Sequence, residues 1–380
     1  MTAAFDAPPA SAFPGAGTAA ELLVRRARAT AEEAGDRFPL YADPATGRWT
    51  TSRRGSWTGG FWAGLLWLTA ARSGSPDDRE RAAACTARLR PRARDDTDAR
   101  AMIFWYGAAA GHRLCGDEGA ARAALEGAAA LAASRRPLGA RGGFVPAGTA
   151  LGRGSRGAST LSVDAAAAVT ALLTWAGRTE GRPDWRMLAR QHATAVAEHC
   201  LDGDGAVRPI AVPGDGAADL PGAGRWSRGQ AWGMLALATA ADTGASGSGG
   251  AAAAGDLAAA ASRTADWWLD RTAGSVPPWS HEDPDGPRDT SAAAIAAEAM
   301  LVLAGALGGP RGGTYRDAAV ELLHELVERH LTRPGADTGA PPAGMLLDGC
   351  YDMASGTAVA HELVWGDHFL LSALLRLEDG

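Results

Sequence analysis

Two acidic segments hold the residues best suited to chemistry in this chain. Asp164 closes Thr160-Leu161-Ser162-Val163-Asp164 ahead of four alanines, a single acid at the start of an otherwise apolar predicted helix. Upstream lies a denser cluster, Asp95-Asp96-Thr97-Asp98, at the start of another predicted helix. Paired carboxylates are the usual equipment of glycoside chemistry, one of them serving as the acid. An acid in apolar surroundings has a raised pKa and keeps a proton for general-acid work near neutral pH, whereas a helix N-terminus pulls the other way. Residue type alone fits a plainer role equally well, because Asp is a favoured N-cap and an acidic cluster at a helix start reads as a solvated cap.

Around these acids stand residues suited to holding a sugar. The chain has thirteen tryptophans. Trp57, Trp226, Trp232, Trp279 and Trp365 fall in segments bordering predicted helix starts, and flat indole faces stack on sugar rings. Trp57 and Trp226 flank helix starts rather than helix middles, and they are the strongest platform candidates. Arg228 lies in the first turn of a helix beside Trp226, where its planar fork suits a carboxylate substituent or an ion pair. All basic residues are Arg; the chain has neither Lys nor Asn. His281, His361 and His368 have no HxxxH or HExxH spacing, and Cys85, Cys115, Cys200 and Cys350 form no CxxC pair. No metal and no cofactor is expected, and the thiols read as reduced and structural.

The motifs recur at the start of every second predicted helix. They are Trp57-Thr-Gly-Gly-Phe-Trp62, Asp95-Asp-Thr-Asp98, Ser162-Val-Asp164, Trp226-Ser-Arg-Gly-Gln-Ala-Trp232, Arg288-Asp-Thr-Ser291 and Trp365-Gly-Asp367. Helix starts expose free N–H groups and a partial positive charge, so a ring of them makes one central pocket for an anionic or hydroxylated ligand. The abundance of Ala, Leu, Glu and Arg and the scarcity of β-branched alternation predict twelve helices, with little strand. They cover 20–34, 60–72, 79–89, 99–114, 117–133, 163–178, 185–200, 228–241, 251–271, 291–307, 316–330 and 356–377. Even-numbered helices are apolar on all sides, as a helix surrounded by neighbours should be, while odd-numbered ones carry Arg and Glu on one face. Long Gly- and Pro-rich loops such as 135–160, 202–225, 272–289 and 332–355 precede inner helices, where loops commonly build sites. The expected fold is all-α, an (α/α)6 barrel.

Length and charge set further bounds. The reading divides 380 residues into a loose tail, 1–18, and a single barrel domain, 19–380. The net charge of −6 and a pI near 5.8 offer no basic face for nucleic acid. No run of about 18 uninterrupted apolar residues is present, so membrane insertion is not expected. The start lacks a basic segment followed by an apolar one, which leads to a cytoplasmic protein, monomeric or homodimeric. Low-complexity residues 244–255 read as a flexible loop.

At these motifs the sequence resembles the unsaturated glucuronyl hydrolases and the unsaturated rhamnogalacturonyl hydrolases, glycoside hydrolase families 88 and 105. Trp57-Thr-Gly-Gly-Phe-Trp-Ala-Gly-Leu-Leu-Trp67 is similar to the family's WT-x-GFW-x-G-x-LW, Trp226-Ser-Arg-Gly-Gln-Ala-Trp-Gly233 to W-[ST]-RGQAWG, Arg288-Asp-Thr-Ser-Ala292 to RD-[ST]-SA, and Trp365-Gly-Asp-His-Phe369 to WGDYY. The resemblance implies an (α/α)6 barrel and an oligosaccharide substrate ending in a 4,5-unsaturated uronic acid. It implies that Asp164 protonates C4 and assists water at C5, after which the hemiketal opens and releases the sugar. It implies Asp98 as the second carboxylate by a one-residue shift, since the family's HD-x-GF aligns its Asp with Ala99 when ungapped, and Asp96 is the substitute. The sequence departs from the family again in Arg208 and Leu220-Pro-Gly-Ala-Gly224, and in Gly148, where a Trp is expected.

Two other readings stay open. A carbohydrate-binding barrel without turnover would keep Trp57, Trp226 and Arg228 and tolerate loss of the second carboxylate. A terpene or prenyl cyclase would explain an acidic motif on a helical fold, but Ala99 interrupts DDxxD and no second acidic cluster follows.

Overall fold

Alanine and leucine dominate the helical segments, and summed propensity over such stretches favours helix wherever Gly and Pro do not intervene. The computed structural model describes residues 13–139, 142–151, 153–213, 224–245, 251–335 and 340–379. Twelve helices run through these residues: α1 (Ala16–Ala34), α2 (Gly59–Ser73), α3 (Pro76–Leu89), α4 (Ala99–Phe104 continued by a π turn, Trp105–Ala109, and Ala110–Cys115), α5 (Glu118–Ala133) and α6 (Ala166–Thr179). They continue as α7 (Pro183–Cys200), α8 (Ser227–Ala245), α9 (Ala251–Thr272), α10 (Thr290–Leu307), α11 (Gly309–Glu325 with Leu326–His330) and α12 (Val364–Asp379).

The even-numbered helices form a closed inner ring. Each of α2, α4, α6, α8, α10 and α12 packs against the next, and α12 returns to α2. Each odd helix packs outside between two inner ones, as α5 does between α4 and α6 and α9 between α8 and α10. The chain is thus the expected (α/α)6 barrel, with all inner helices starting at one mouth. Helix α10 shows why the inner ring is apolar throughout: its mean hydropathy is 1.7 over 18 residues, and 72 % of that stretch is buried. It is long and apolar enough to cross a membrane, which the sequence reading did not foresee; here that surface packs in the centre of the barrel.

The tail boundary shifts. Helix α1 starts at Ala16, and Phe13 packs edge-on against His324 at 5.1 Å, so structure begins inside the stretch expected to be loose; residues 1–12 lie outside the described part. The expected loop at 244–255 contracts as well, because α8 runs to Ala245 and α9 starts at Ala251, with 246–250 outside the described residues. Its alanines favour helix over loop.

Short strands decorate the mouth. β1 (Phe38–Ala42) pairs antiparallel with β2 (Trp49–Ser52), and a two-residue strand, Glu362–Leu363, adds to the other edge of β1. The sequence reading runs the last helix from 356; the structure starts it at Val364. Strands of two to five residues carry too few alternations to show in a period-2 pattern. This last strand lets the chain close on itself. Arg26 of α1 donates to both oxygens of Glu362 at 2.9 and 2.6 Å, and Glu362 in turn faces Asp367 of α12. Burial and the neighbouring Glu362 charge push Asp367 well above the ordinary carboxyl range, while the Arg26 guanidinium pulls Glu362 down against its own burial.

Candidate active site

The starts of the inner helices and the loops before them converge at one mouth. Asp164 sits in the turn ahead of α6, and the N-cap is Ala165, with no side-chain cap. The capping role that residue type allowed is therefore not the one taken. The turn is pinned by the Val163 N–H, which donates to Pro209 O at 3.0 Å, and it leaves the Asp164 carboxyl free. Its Oδ1 is buried without a hydrogen-bond partner. Burial raises its pKa, against the opposing pull of the Arg153 and Arg228 charges.

Asp98 is the second acid of the site. It precedes α4 and is 2 % exposed, and Arg153 Nη1 donates to Oδ1 at 3.2 Å and more weakly to Oδ2 at 3.4 Å. Its carboxyl is pushed up to about 6, chiefly by burial, with the Arg153 charge pulling down and the Asp164 charge pushing up. Asp98 and Asp164 are therefore electrically coupled across the mouth. Asp96, the substitute, turns away, since its Oδ2 accepts from Thr149 N–H at 3.0 Å and Oγ1 at 2.6 Å. Asp95 pairs with Arg92 and Arg54. Ala99, where ungapped alignment puts the acid, is 2 % exposed in the core.

Arg153 is the site residue that sequence reasoning missed. It lies in Gly152-Arg-Gly-Ser-Arg-Gly157, where nothing distinguishes it from Arg156. The loop is fixed by backbone geometry: Gly148 has φ +78°, and a Cβ there would stand 2.3 Å from Asp96 O. A tryptophan does not fit at that position, so its absence is a consequence of how this loop packs on Asp96.

The aromatic candidates divide. Trp57, Trp226 and Trp279 are partly exposed at the mouth. Trp57 stacks on Tyr351 at 6.3 Å and 22°, and leans on Trp365 at 4.8 Å. Trp279 is oriented by its Nε1–H, which donates to Asp283 Oδ2 at 2.9 Å, and an isolated bridge joins Trp226 to Ser280 next to it. Trp365 is fully buried behind Trp57 and presents no open face, contrary to the platform role expected of it. Trp232 also departs from expectation. It is 1 % exposed and packs on Phe61 at 6.0 Å and Phe369 at 5.4 Å, inside the barrel, because it lies more than a full turn into α8 rather than at its start.

Arg228 takes the ion-pair role rather than the free carboxylate-binding one. It is 5 % exposed, and Nη1 donates to Asp289 Oδ2 at 2.7 Å and to Cys350 O, while Nη2 donates to Tyr351 O at 2.8 Å. It lies over Trp226 at 4.9 Å and Trp365 at 5.5 Å. Asp289 caps α10 through Ser291 N–H and Ala292 N–H. The guanidinium thus ties α8, α10 and the loop before α12 into one rim while contributing positive charge toward Asp164.

Among the described residues no group of three or more His, Cys, Asp or Glu could hold a metal ion. Two carboxyls in unequal hydrogen-bonding surroundings, two guanidiniums and three accessible indoles make an arrangement suited to acid-catalysed attack on a sugar.

The chain is 30 % identical over 365 residues to the unsaturated glucuronyl hydrolase of Bacillus sp. (strain GL1), covering 91 % of this chain and 92 % of that protein. The crystal structure of the unsaturated glucuronyl hydrolase from Bacillus sp. GL1, responsible for the degradation of glycosaminoglycan, superposes with a TM-score of 0.81 at 27 % identity, over 96 % of both chains. A solved UGL variant with an Asp-to-Asn change and dGlcA-Glc-Rha-Glc gives a TM-score of 0.81 at 28 % identity, again over 96 % of both chains. No family model matches the chain.

Proposed function

The chain belongs to the unsaturated glucuronyl hydrolase family, as a glycoside hydrolase of unsaturated uronyl saccharides, and we propose that Asp164 and Asp98 divide the work of hydrating the C4=C5 bond. The observation that carries this is the coupled pair of carboxyls in unequal surroundings. Asp98 has Arg153 in direct contact, whereas the buried Oδ1 of Asp164 has no donor. Of the two, Asp164 therefore holds the proton more firmly, and Asp98 is the one ionised above about pH 6.

The steps follow from that inequality. Protonated Asp164 gives its proton to C4 of the vinyl ether, and positive charge develops on C5 and the ring oxygen. The Asp98 carboxylate stabilises that cation at close range in a site partly shielded from water. Asp164, now a carboxylate, takes a proton from the water that adds to C5. The hemiketal so formed opens and releases the remaining sugar. The bond cleaved is not displaced directly, so the separation of the two acids does not report retention or inversion as it does in ordinary glycosidases.

The mouth supports an acidic sugar as the group bound at the acids. Arg153 supplies one guanidinium edge partly open to solvent, with 28 % of its side chain exposed, and Arg228 adds positive charge from behind. Trp57, Trp226 and Trp279 supply flat faces for neighbouring sugar rings. Four free cysteines support a reducing, cytoplasmic setting for a single-domain enzyme. Turnover in deuterium oxide tests the chemistry: hydration puts one deuterium at C4 of the product, seen by NMR, and a product without deuterium at C4 contradicts it.

A further inference from the structure

The catalytic mouth carries an aromatic run that the proposed steps leave unused. It starts at Trp57, passes to Tyr351 at 6.3 Å and from there to Tyr41 of β1 at 5.8 Å, with His361 edge-on against Tyr41 at 5.7 Å and 85°. All four residues are partly exposed. The run leads outward from the centre of the barrel: Trp57 stands just ahead of inner helix α2, whereas Tyr41 lies on the small sheet, where β1 packs against outer helix α1 as well as α2 and α12. Contiguous exposed rings beside a site are the usual lining of a ligand groove.

An irregularity in the strand places Tyr41. Pro39 pairs with Thr51 and Tyr41 with Thr50, so Leu40 is the extra residue of a β-bulge. Bulges re-aim the side chains beside them and gather next to active sites. Beyond the bulge Tyr41 is held on both edges, by Thr50 of β2 and by Leu363 of the strand ahead of α12. Tyr351 is held as firmly: its N–H donates to Ala358 O at 2.9 Å, its O accepts from Arg228 Nη2 at 2.8 Å, and its hydroxyl accepts from Trp57 Nε1 at 3.3 Å. The rings are therefore set before any ligand arrives, which lowers the ordering cost of binding. Packing alone does not call for an aromatic residue at position 41, because Phe38 and Ala42 are the members of this strand that fill the core. A half-buried tyrosine offers a flat apolar face with a polar tip, which matches the face and the hydroxyls of a sugar together.

We propose that Tyr41 is a specificity-determining residue for substrate length, stacking on a sugar beyond the disaccharide whose unsaturated end lies at the acids, so that the enzyme favours unsaturated tetrasaccharides over disaccharides. The proposal rests on the hydrolase reading above. The test is kcat/KM for unsaturated di- and tetrasaccharides prepared by lyase digestion of one unsulfated glycosaminoglycan, with the parent enzyme, Tyr41→Thr, Tyr41→Phe and Trp57→Ala. Threonine suits a strand, and disaccharide turnover reports that the variant is folded. The expected result is a tetrasaccharide preference in the parent that Tyr41→Thr lowers by about three- to tenfold with the disaccharide value unchanged, that Tyr41→Phe keeps, and a loss at both lengths in Trp57→Ala. Calorimetric titration of both sugars into Asp164→Asn and into Asp164→Asn/Tyr41→Phe checks the same preference without turnover. Equal kcat/KM for the two lengths in the parent, or an equal change at both lengths in Tyr41→Thr, overturns the proposal and leaves the hydrolase reading standing; no turnover at either length overturns that reading and this proposal with it.

Discussion

In the proposed mechanism Asp98 and Asp164 divide the work because their neighbours differ: Arg153 donates to Asp98, while Oδ1 of Asp164 has no donor. The Arg153 guanidinium lies 3.2 Å from Asp98 and holds that carboxyl down against burial, leaving it at about 6. The proposed mechanism uses Asp98 as the carboxylate, so it predicts that activity falls as pH drops through that value. Removing Arg153 removes the pull toward ionisation, so Arg153→Gln should move the acid limb of kcat/KM upward by about 1 unit or more. A pH–rate profile measures it, and an acid limb that stays put would show that Arg153 does not tune the pair. Asp164 stood out in the sequence as a lone acid before an apolar helix, and the role proposed for it came from the family resemblance rather than from its spacing. Arg153 did not stand out, because a loop arginine among glycines has no periodic or local signature, and only the folded loop brings it to Asp98.

At the scale of elements, several motifs that read as chemistry are contacts between helices. Gln230 accepts from Val207 N–H at 2.7 Å and donates to Gly205 O at 3.0 Å, securing the loop between α7 and α8. Asp289 caps α10 and pairs with Arg228. Gly60 and Gly64 allow α2 to lie against α4, since a Cβ on Gly60 would stand 2.5 Å from Ile103 Cα and Met102 O, both backbone. Gly60→Ala should therefore destabilise the fold by roughly 1–3 kcal/mol. Gly313→Ala in α11, with nothing within 4 Å of its added Cβ, should be neutral or stabilising by up to about 1 kcal/mol. Urea unfolding of the two variants compares them, and equal stability would remove the close approach as the reason for Gly60. The sequence shows that such motifs recur at helix starts. It does not separate a residue facing substrate from one facing the next helix, and Trp232, Trp365 and Arg228 fell on the wrong side of that line.

The whole molecule was the most legible level, because a barrel of twelve helices repeats one pattern six times: apolar inner helix, charged outer helix, long loop at one mouth. What periodicity left out is aperiodic: the small sheet joining β1, β2 and Glu362–Leu363, and the Arg26–Glu362–Asp367 chain that links the last inner helix to the first helix. Ring closure puts all six inner helix starts at one mouth, and the proposed mechanism rests on that convergence around Asp164 and Asp98. The most direct test is the loss of the C4=C5 absorbance of lyase-generated unsaturated disaccharides, followed with the parent enzyme and Asp164→Asn side by side. Removal of a general acid costs about 10²–10⁴ in rate. The account predicts decay with the parent, a loss of at least that size in Asp164→Asn, and unchanged thermal stability; an Asp164→Asn variant that turns over at the parent rate would contradict it.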